Sequence, residues 1–139
     1  MRLYILIVLF ITTFSLTGQE KGSSPFVEVV NGELVLDGER YCFIGSNYWQ
    51  GMNLGAPESG DRNRLLSELD QLEKLGVKNL RVLAASEADQ KMKYAIHPAL
   101  QSGPGEYDED LWKGLDFLLA EMKKRGMTAT MVLGNFWTW

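Results

Sequence analysis

One cysteine, Cys42, and one histidine, His97, are all that the 139 residues hold of either type. A lone cysteine closes no internal disulfide and excludes both a zinc finger and a Cys-x-x-Cys redox pair. No other metal-ligand spacing occurs, so neither a metal nor a cofactor is expected. Basic residues are also scarce, 14 Lys plus Arg against 18 Asp plus Glu for a net charge of −4. Without a positive field to gather phosphates, nucleic acid is not an expected partner. The sequence has no phosphate-cradling glycine loop and no Ser-His-Asp order. It also lacks the low apolar content of disordered chains, since 45% of it is hydrophobic and 11% aromatic.

The one long apolar run, Leu3 to Phe14, falls short of the roughly 20 residues that span a bilayer. It follows Arg2 and leads into Ser15-Leu16-Thr17-Gly18, the layout of a secretory signal. Residues 1–18 are therefore expected to be a signal peptide cut near Thr17 to Gln19, and 19–139 the exported portion. The exported chain is expected to be secreted or extracellular, or periplasmic in a Gram-negative bacterium. Stable membrane association is not expected after cleavage.

Beyond a polar linker at 21–24, Phe26 to Val30 and Glu33 to Leu36 alternate around Asn31-Gly32, a strong hairpin signal, and Asp37-Gly38 marks a second turn. Tyr41 to Gly45 is nearly continuous in apolar residues, which predicts a strand buried on both faces. Leu65, Leu66, Leu69, Leu72 and Leu75 fall at helical spacing, with Ser59 or Asp61 as cap and Gly76 as stop. Val77 to Ala85 reads as a second buried strand carrying one charge, Arg81. A long loop from Ser86 to Tyr107 follows, and loops of that length are usually functional or disordered. Leu111, Leu115, Leu118, Leu119 and Met122 define a second helix, with Asp108 to Asp110 at its start and Lys123 to Arg125 at its end, as the helix dipole favours. Thr128 to Leu133 is a third strand. Alternating strands and helices imply a parallel sheet with crossover helices. A third strand with no helix after it predicts the N-terminal portion of a larger domain.

Aromatic and amide residues gather just past the strands: Asn47, Tyr48 and Trp49 after the first, Asn135, Phe136, Trp137 and Trp139 after the third. In parallel α/β folds ligands bind beyond the carboxyl ends of the strands. Flat rings there suit sugar stacking, or else they cover the core. Arg81 must pair with a carboxylate if buried, or reach water from the strand end. Asp108, Glu109 and Asp110 are explained by the helix dipole rather than by catalysis. His97, before a proline in a loop, suits a loop-ordering hydrogen bond, and Cys42 a small buried hydrophobe.

Several segments in order, Phe26-Val27-Glu28-Val29, Leu36-Asp37-Gly38, Phe43 to Trp49, Asn79 to Leu83, His97 to Gln101, Pro104 to Glu109 and Gly126-Met127, resemble the N-terminal third of family 5 glycoside hydrolases. The likeness is to the endo-β-1,4-mannanase branch and covers the whole exported chain. It implies an α/β fold, namely about three βα units of a (β/α)8 barrel whose bottom is plugged by the hairpin. The implied activity is retaining hydrolysis of internal β-1,4-mannosidic bonds, with β-mannan or a related plant polysaccharide as partner. Arg81 matches the family arginine that supports the nucleophile, and both catalytic glutamates are implied to lie beyond Trp139. Asn47, Trp49, Asn135, Trp137 and Trp139 are the implied sugar-contacting residues. A β-1,4-glucanase of the same family and a non-catalytic glycan-binding barrel are the alternatives, and the 139 residues alone are expected to be inactive.

Overall fold

The computed structural model describes residues 26–87 and 95–134. The predicted signal peptide and the segment from Asn135 to Trp139 lie outside the described residues. The chain forms two compact units, divided between Tyr41 and Cys42.

The first unit is an antiparallel meander of β1 (Glu28–Val30), β2 (Glu33–Leu36) and β3 (Glu39–Arg40). Asn31 and Gly32 sit at φ 53 and 83, and Asp37 and Gly38 at 53 and 82. Positive φ at both central residues makes these turns follow the right-handed twist of the strands they join, the reason Asn-Gly and Asp-Gly mark hairpins. Two residues are too few to show alternation, so β3 left no pattern of its own.

The second unit runs β4 (Ile44–Asn47), α1 (Gly51–Gly55), α2 (Arg62–Lys74), β5 (Val77–Leu83), β6 (Gln101–Gly103), β7 (Glu106–Tyr107), α3 (Glu109–Lys124) and β8 (Thr128–Val132). Strands β4, β5 and β8 make a parallel sheet with β5 central, and β6 and β7 form a separate two-stranded ribbon. Asp61 caps α2 by accepting from the Arg64 amide, and Asp108 caps α3 by accepting from Asp110 and Leu111. Ser59, the other candidate cap for α2, instead donates its hydroxyl to Asp110 at 2.8 Å. Gly76 and Gly126 end the helices at φ 78 and 62.

One face of β5 carries Leu80 and Val82, followed by Ala84 just past the strand, into a core shared with Met52, Leu65, Leu69, Leu111, Leu118 and Met122. The helical stripes supply this core as their spacing predicts, except that Leu66 is half-buried outside it and Leu75 is 74% exposed. The helix ends at Lys74, so Leu75 occupies the cap and turns away from the buried face. The strand expected to be buried on both faces is also corrected. Every residue of β4 is exposed and so is Cys42, because β4 pairs only with β5 and is an edge among the described residues. The helix α1 carried no sequence signal, being five residues with a glycine at each end.

Candidate active site

Strand register brings the site together. Asn47 of β4, Arg81 of β5 and Thr130 of β8 are direct neighbours across the sheet. Side chains alternate along a strand, so the face opposite Leu80 and Val82 carries Asn79 and Arg81. Asn79 is buried and fully engaged there: its amide donates to Thr128 Oγ1 at 2.8 Å, and Thr130 Oγ1 donates to its Oδ1 at 3.0 Å. The β5–β8 pair thus has an apolar face with Leu80 and Val82 and an opposite face that is polar at Asn79, Arg81, Thr128 and Thr130, between the buried Val77 and Leu83. Asn79 with Arg81, and Thr128 with Thr130, were the period-two signal of that polar face, which sequence reasoning passed over by noting one charge in an apolar run.

Arg81 lies beside the two neighbours singled out with it. Its Nη1 is 3.5 Å from Asn47 Oδ1, and its guanidinium carbon lies 4.5 Å from the centre of the Trp49 ring. A cation over an indole face is held by the ring quadrupole. No carboxylate among the described residues forms an ion pair with Arg81. A guanidinium has five N–H donors, and this one presents a planar cation at the carboxyl end of the sheet. The remaining candidates, Asn135, Trp137 and Trp139, lie outside the described residues.

Tyr48 explains why Trp49 meets Arg81. The Tyr48 amide donates to the Arg81 carbonyl at 2.8 Å, extending the β4–β5 pairing by one residue. Its ring packs on the helix side against the core, and its hydroxyl donates to Glu68 of α2 at 2.7 Å. With Tyr48 anchored on that side, alternation sends Asn47 and Trp49 to the other. Burial, reinforced by the Glu68 carboxylate, pushes the Tyr48 phenol far above its ordinary value. Hydrogen bonds from Tyr48 and then from Arg64 hold Glu68 below the usual carboxylate range, so the tether is a neutral phenol on a charged carboxylate.

Two cavities open on the β5-to-α3 connection. One, of about 560 Å³, is lined by Trp49, Asn53, Asp61, Ile96, His97 and Pro98 among others. The second, of about 650 Å³, adjoins His97, Pro98, Ser102, Glu106 and Tyr107. Asn53 ties α1 to this wall by donating to the Pro98 carbonyl at 2.8 Å, while its Oδ1 is enclosed without a hydrogen-bond partner among the described residues. Asp110 accepts from the amides of Glu58 and Ser59 at 3.2 and 3.0 Å as well as from the Ser59 hydroxyl, which pins the 56–61 segment to the start of α3. Among the described residues no group of three His, Cys, Asp or Glu side chains could hold a metal ion, and no helix is long and apolar enough to cross a membrane.

The chain as a whole is similar to known proteins. Mannan endo-1,4-beta-mannosidase 3 of Solanum lycopersicum is 30% identical over 117 residues, covering 84% of this chain and 27% of the relative. A putative mannan endo-1,4-beta-mannosidase of Oryza sativa is 32% identical over 116 residues, covering 83% and 26%. The crystal structure of a glycoside hydrolase family 5 mannosidase from Rhizomucor miehei superposes with a TM-score of 0.78 at 44% identity, covering 82% of this chain and 28% of that one. A Glu-to-Ala mutant of the same enzyme, in complex with mannosyl-fructose, superposes equally well. The chain thus spans about a quarter of the length of the curated relatives it matches. Because the family described as "GH family 5 beta-mannosidase-like" matches residues 24–139, nearly everything after the predicted signal, this chain belongs to glycoside hydrolase family 5 and to its mannosidase-like group.

Proposed function

We propose that the chain is the N-terminal part of a secreted, retaining glycoside hydrolase with a (β/α)8 barrel, which cleaves internal β-1,4-mannosidic bonds. The observation that carries this reading is the Asn47–Arg81–Trp49 cluster at the carboxyl ends of parallel strands, where barrel enzymes place their chemistry. Retention uses two carboxyl groups about 5 to 5.5 Å apart, one a nucleophile and the other an acid and then a base. Arg81 would serve the nucleophile, since a neighbouring cation keeps a carboxylate ionised and oriented. Asn47 would hydrogen-bond a sugar hydroxyl, and Trp49 would offer the flat face on which a pyranose ring rests.

The curated relatives support an endo-acting enzyme, as their names describe. A second reading, an exo-acting β-mannosidase, is favoured by the Rhizomucor miehei mannosidase at 44% identity and by a more distant exo-beta-1,4-mannosidase from an Opitutaceae bacterium, 26% identical with a TM-score of 0.54. Expressing the complete reading frame and following mannohexaose by chromatography separates the two. Early release of mixed shorter oligosaccharides is expected, mannose alone as the first product would establish the exo reading, and an intact hexaose would overturn both.

A further inference from the structure

The described residues of the connection between β5 and α3, 84–87 and 95–108, follow the carboxyl end of β5, the side of the sheet where Arg81 meets Trp49. Its two cavities share a wall, because His97 and Pro98 line both. The first begins at Trp49, the ring that contacts Arg81, and the second ends at Tyr107 on the β6–β7 ribbon. Tyr107 is 52% exposed, yet its ring is braced by Trp112 of α3, with centroids 6.1 Å apart. The ribbon holds its backbone: Tyr107 pairs with Gln101, and the next residue, Asp108, donates its amide to the Leu100 carbonyl at 2.8 Å. A rigid, exposed ring beside polar groups is costly to leave in water and suited to a ligand with one apolar and one hydroxylated side. Ser102 and Glu106, on the same cavity, supply the polar side.

We propose that these cavities form a distal track for a β-1,4-linked hexopyranose chain, running from Trp49 over the His97–Pro98 ridge to Tyr107 as its outer stacking platform. The track rests on the reading of the enzyme as a glycan hydrolase and adds to it a determinant of chain length. A short saccharide fills the strand-end site without reaching Tyr107, whereas a long one gains a further stacked ring. Affinity therefore rises with chain length, and the rise depends on the flat face of residue 107.

The test is calorimetric titration of the protein from the complete reading frame with mannohexaose and with mannobiose, alongside hydrolysis of both. Tyr107→Ala is expected to weaken hexaose binding about tenfold, a difference of about 1.4 kcal/mol, and to leave mannobiose within twofold. Tyr107→Phe should retain hexaose affinity because the ring is the platform. Tyr107→Leu, which keeps apolar bulk against Trp112 but lacks a flat face, should behave like Ala. A melting curve on each variant separates platform loss from misfolding, and the Phe and Leu pair decides the matter if Ala does not fold. Equal losses for hexaose and biose, equal behaviour of Leu and Phe, or no hexaose binding by the wild type would each overturn the track. Binding without hydrolysis, still sensitive to Tyr107→Leu, would uphold the track and remove the hydrolase reading.

Discussion

Arg81 concentrates what single residues do in this chain. Its guanidinium is poised between Asn47 and the Trp49 face, with no carboxylate among the described residues to neutralise it. On the proposed reading, Arg81→Ala in the protein from the complete reading frame should remove a cation that keeps the nucleophile ionised. We expect kcat/KM on mannan to fall about a hundredfold, roughly 2.7 kcal/mol, with little change in melting temperature. Lys should rescue only part, having charge without the planar fork. Near-wild-type turnover in a folded Arg81→Ala enzyme would assign the residue to solvent instead. Asp110 makes a different kind of prediction. Partial burial pushes its carboxyl up, but hydrogen bonds from Ser59 and Glu58 outweigh this and hold it below the usual carboxylate range. Folding therefore favours the charged form, and the contribution is complete above the unfolded value of about 4 and lost as pH falls through the lower folded value. Asp110→Asn keeps the shape without the titration, so it should flatten the decline of melting temperature between about pH 5 and 2. An unchanged decline would show that other carboxylates set it.

Among the elements, the crossing of α1 on α3 is the tightest. A Cβ at Gly114 would stand 2.3 Å from the Met52 carbonyl oxygen and 2.6 Å from the Ala56 nitrogen, and one at Gly55 would stand 2.2 Å from the Gly114 oxygen. Helix propensity alone says that Gly114→Ala should stabilise by up to about 1 kcal/mol. The obstructing atoms are backbone, which cannot swing aside, and overpacking costs about 1 to 3 kcal/mol or more. Clash wins over propensity, and the variant should melt lower than wild type; a higher melting temperature would mean that α1 can move off α3. This contact also shows where sequence reading stops. The helices α2 and α3 were legible with their caps because leucine spacing, Asp61, Asp108 and the closing glycines are local signals, as were both hairpin turns. Helix α1 and the β6–β7 ribbon were not, since they are too short for a period and are tied by contacts distant in sequence, Asn53 of α1 to Pro98 and the Gln101 amide of β6 to the Ser86 carbonyl. The same division runs through the site. Asn47 and Trp49 were legible as residues just past a strand and Arg81 as the one charge within a strand, whereas the walls of the two cavities were not, because only the folded connection brings His97 and Tyr107 beside them.

At the scale of the whole molecule, burial is uneven. The core beneath β5 is closed by three helices, yet β4 and β8 each pair on one side only among the described residues. Phe43 and Ile44 near one edge are 41% and 66% exposed, and Met131 and Leu133 near the other are 38% and 76%. Unpaired strand edges with apolar neighbours are templates for pairing with another chain. A net charge of −4 opposes that only weakly, and salt screens it. The 139-residue chain by itself should therefore self-associate, increasingly so with added salt, bind the dye ANS and melt without a sharp transition. Sedimentation as a monomer with a cooperative melt would contradict this. The cause can be tested within the same measurement. A lysine on an edge strand blocks pairing at little cost to a residue already in water, so Ile44→Lys and Met131→Lys should each lower the sedimentation coefficient at a given concentration, and together restore most of the monomer. If the double variant associates as strongly as the wild type, the edges are not what joins the chains, and exposed side chains elsewhere, Phe26 and Val29 of the meander at 75% and 71% among them, become the contact to test.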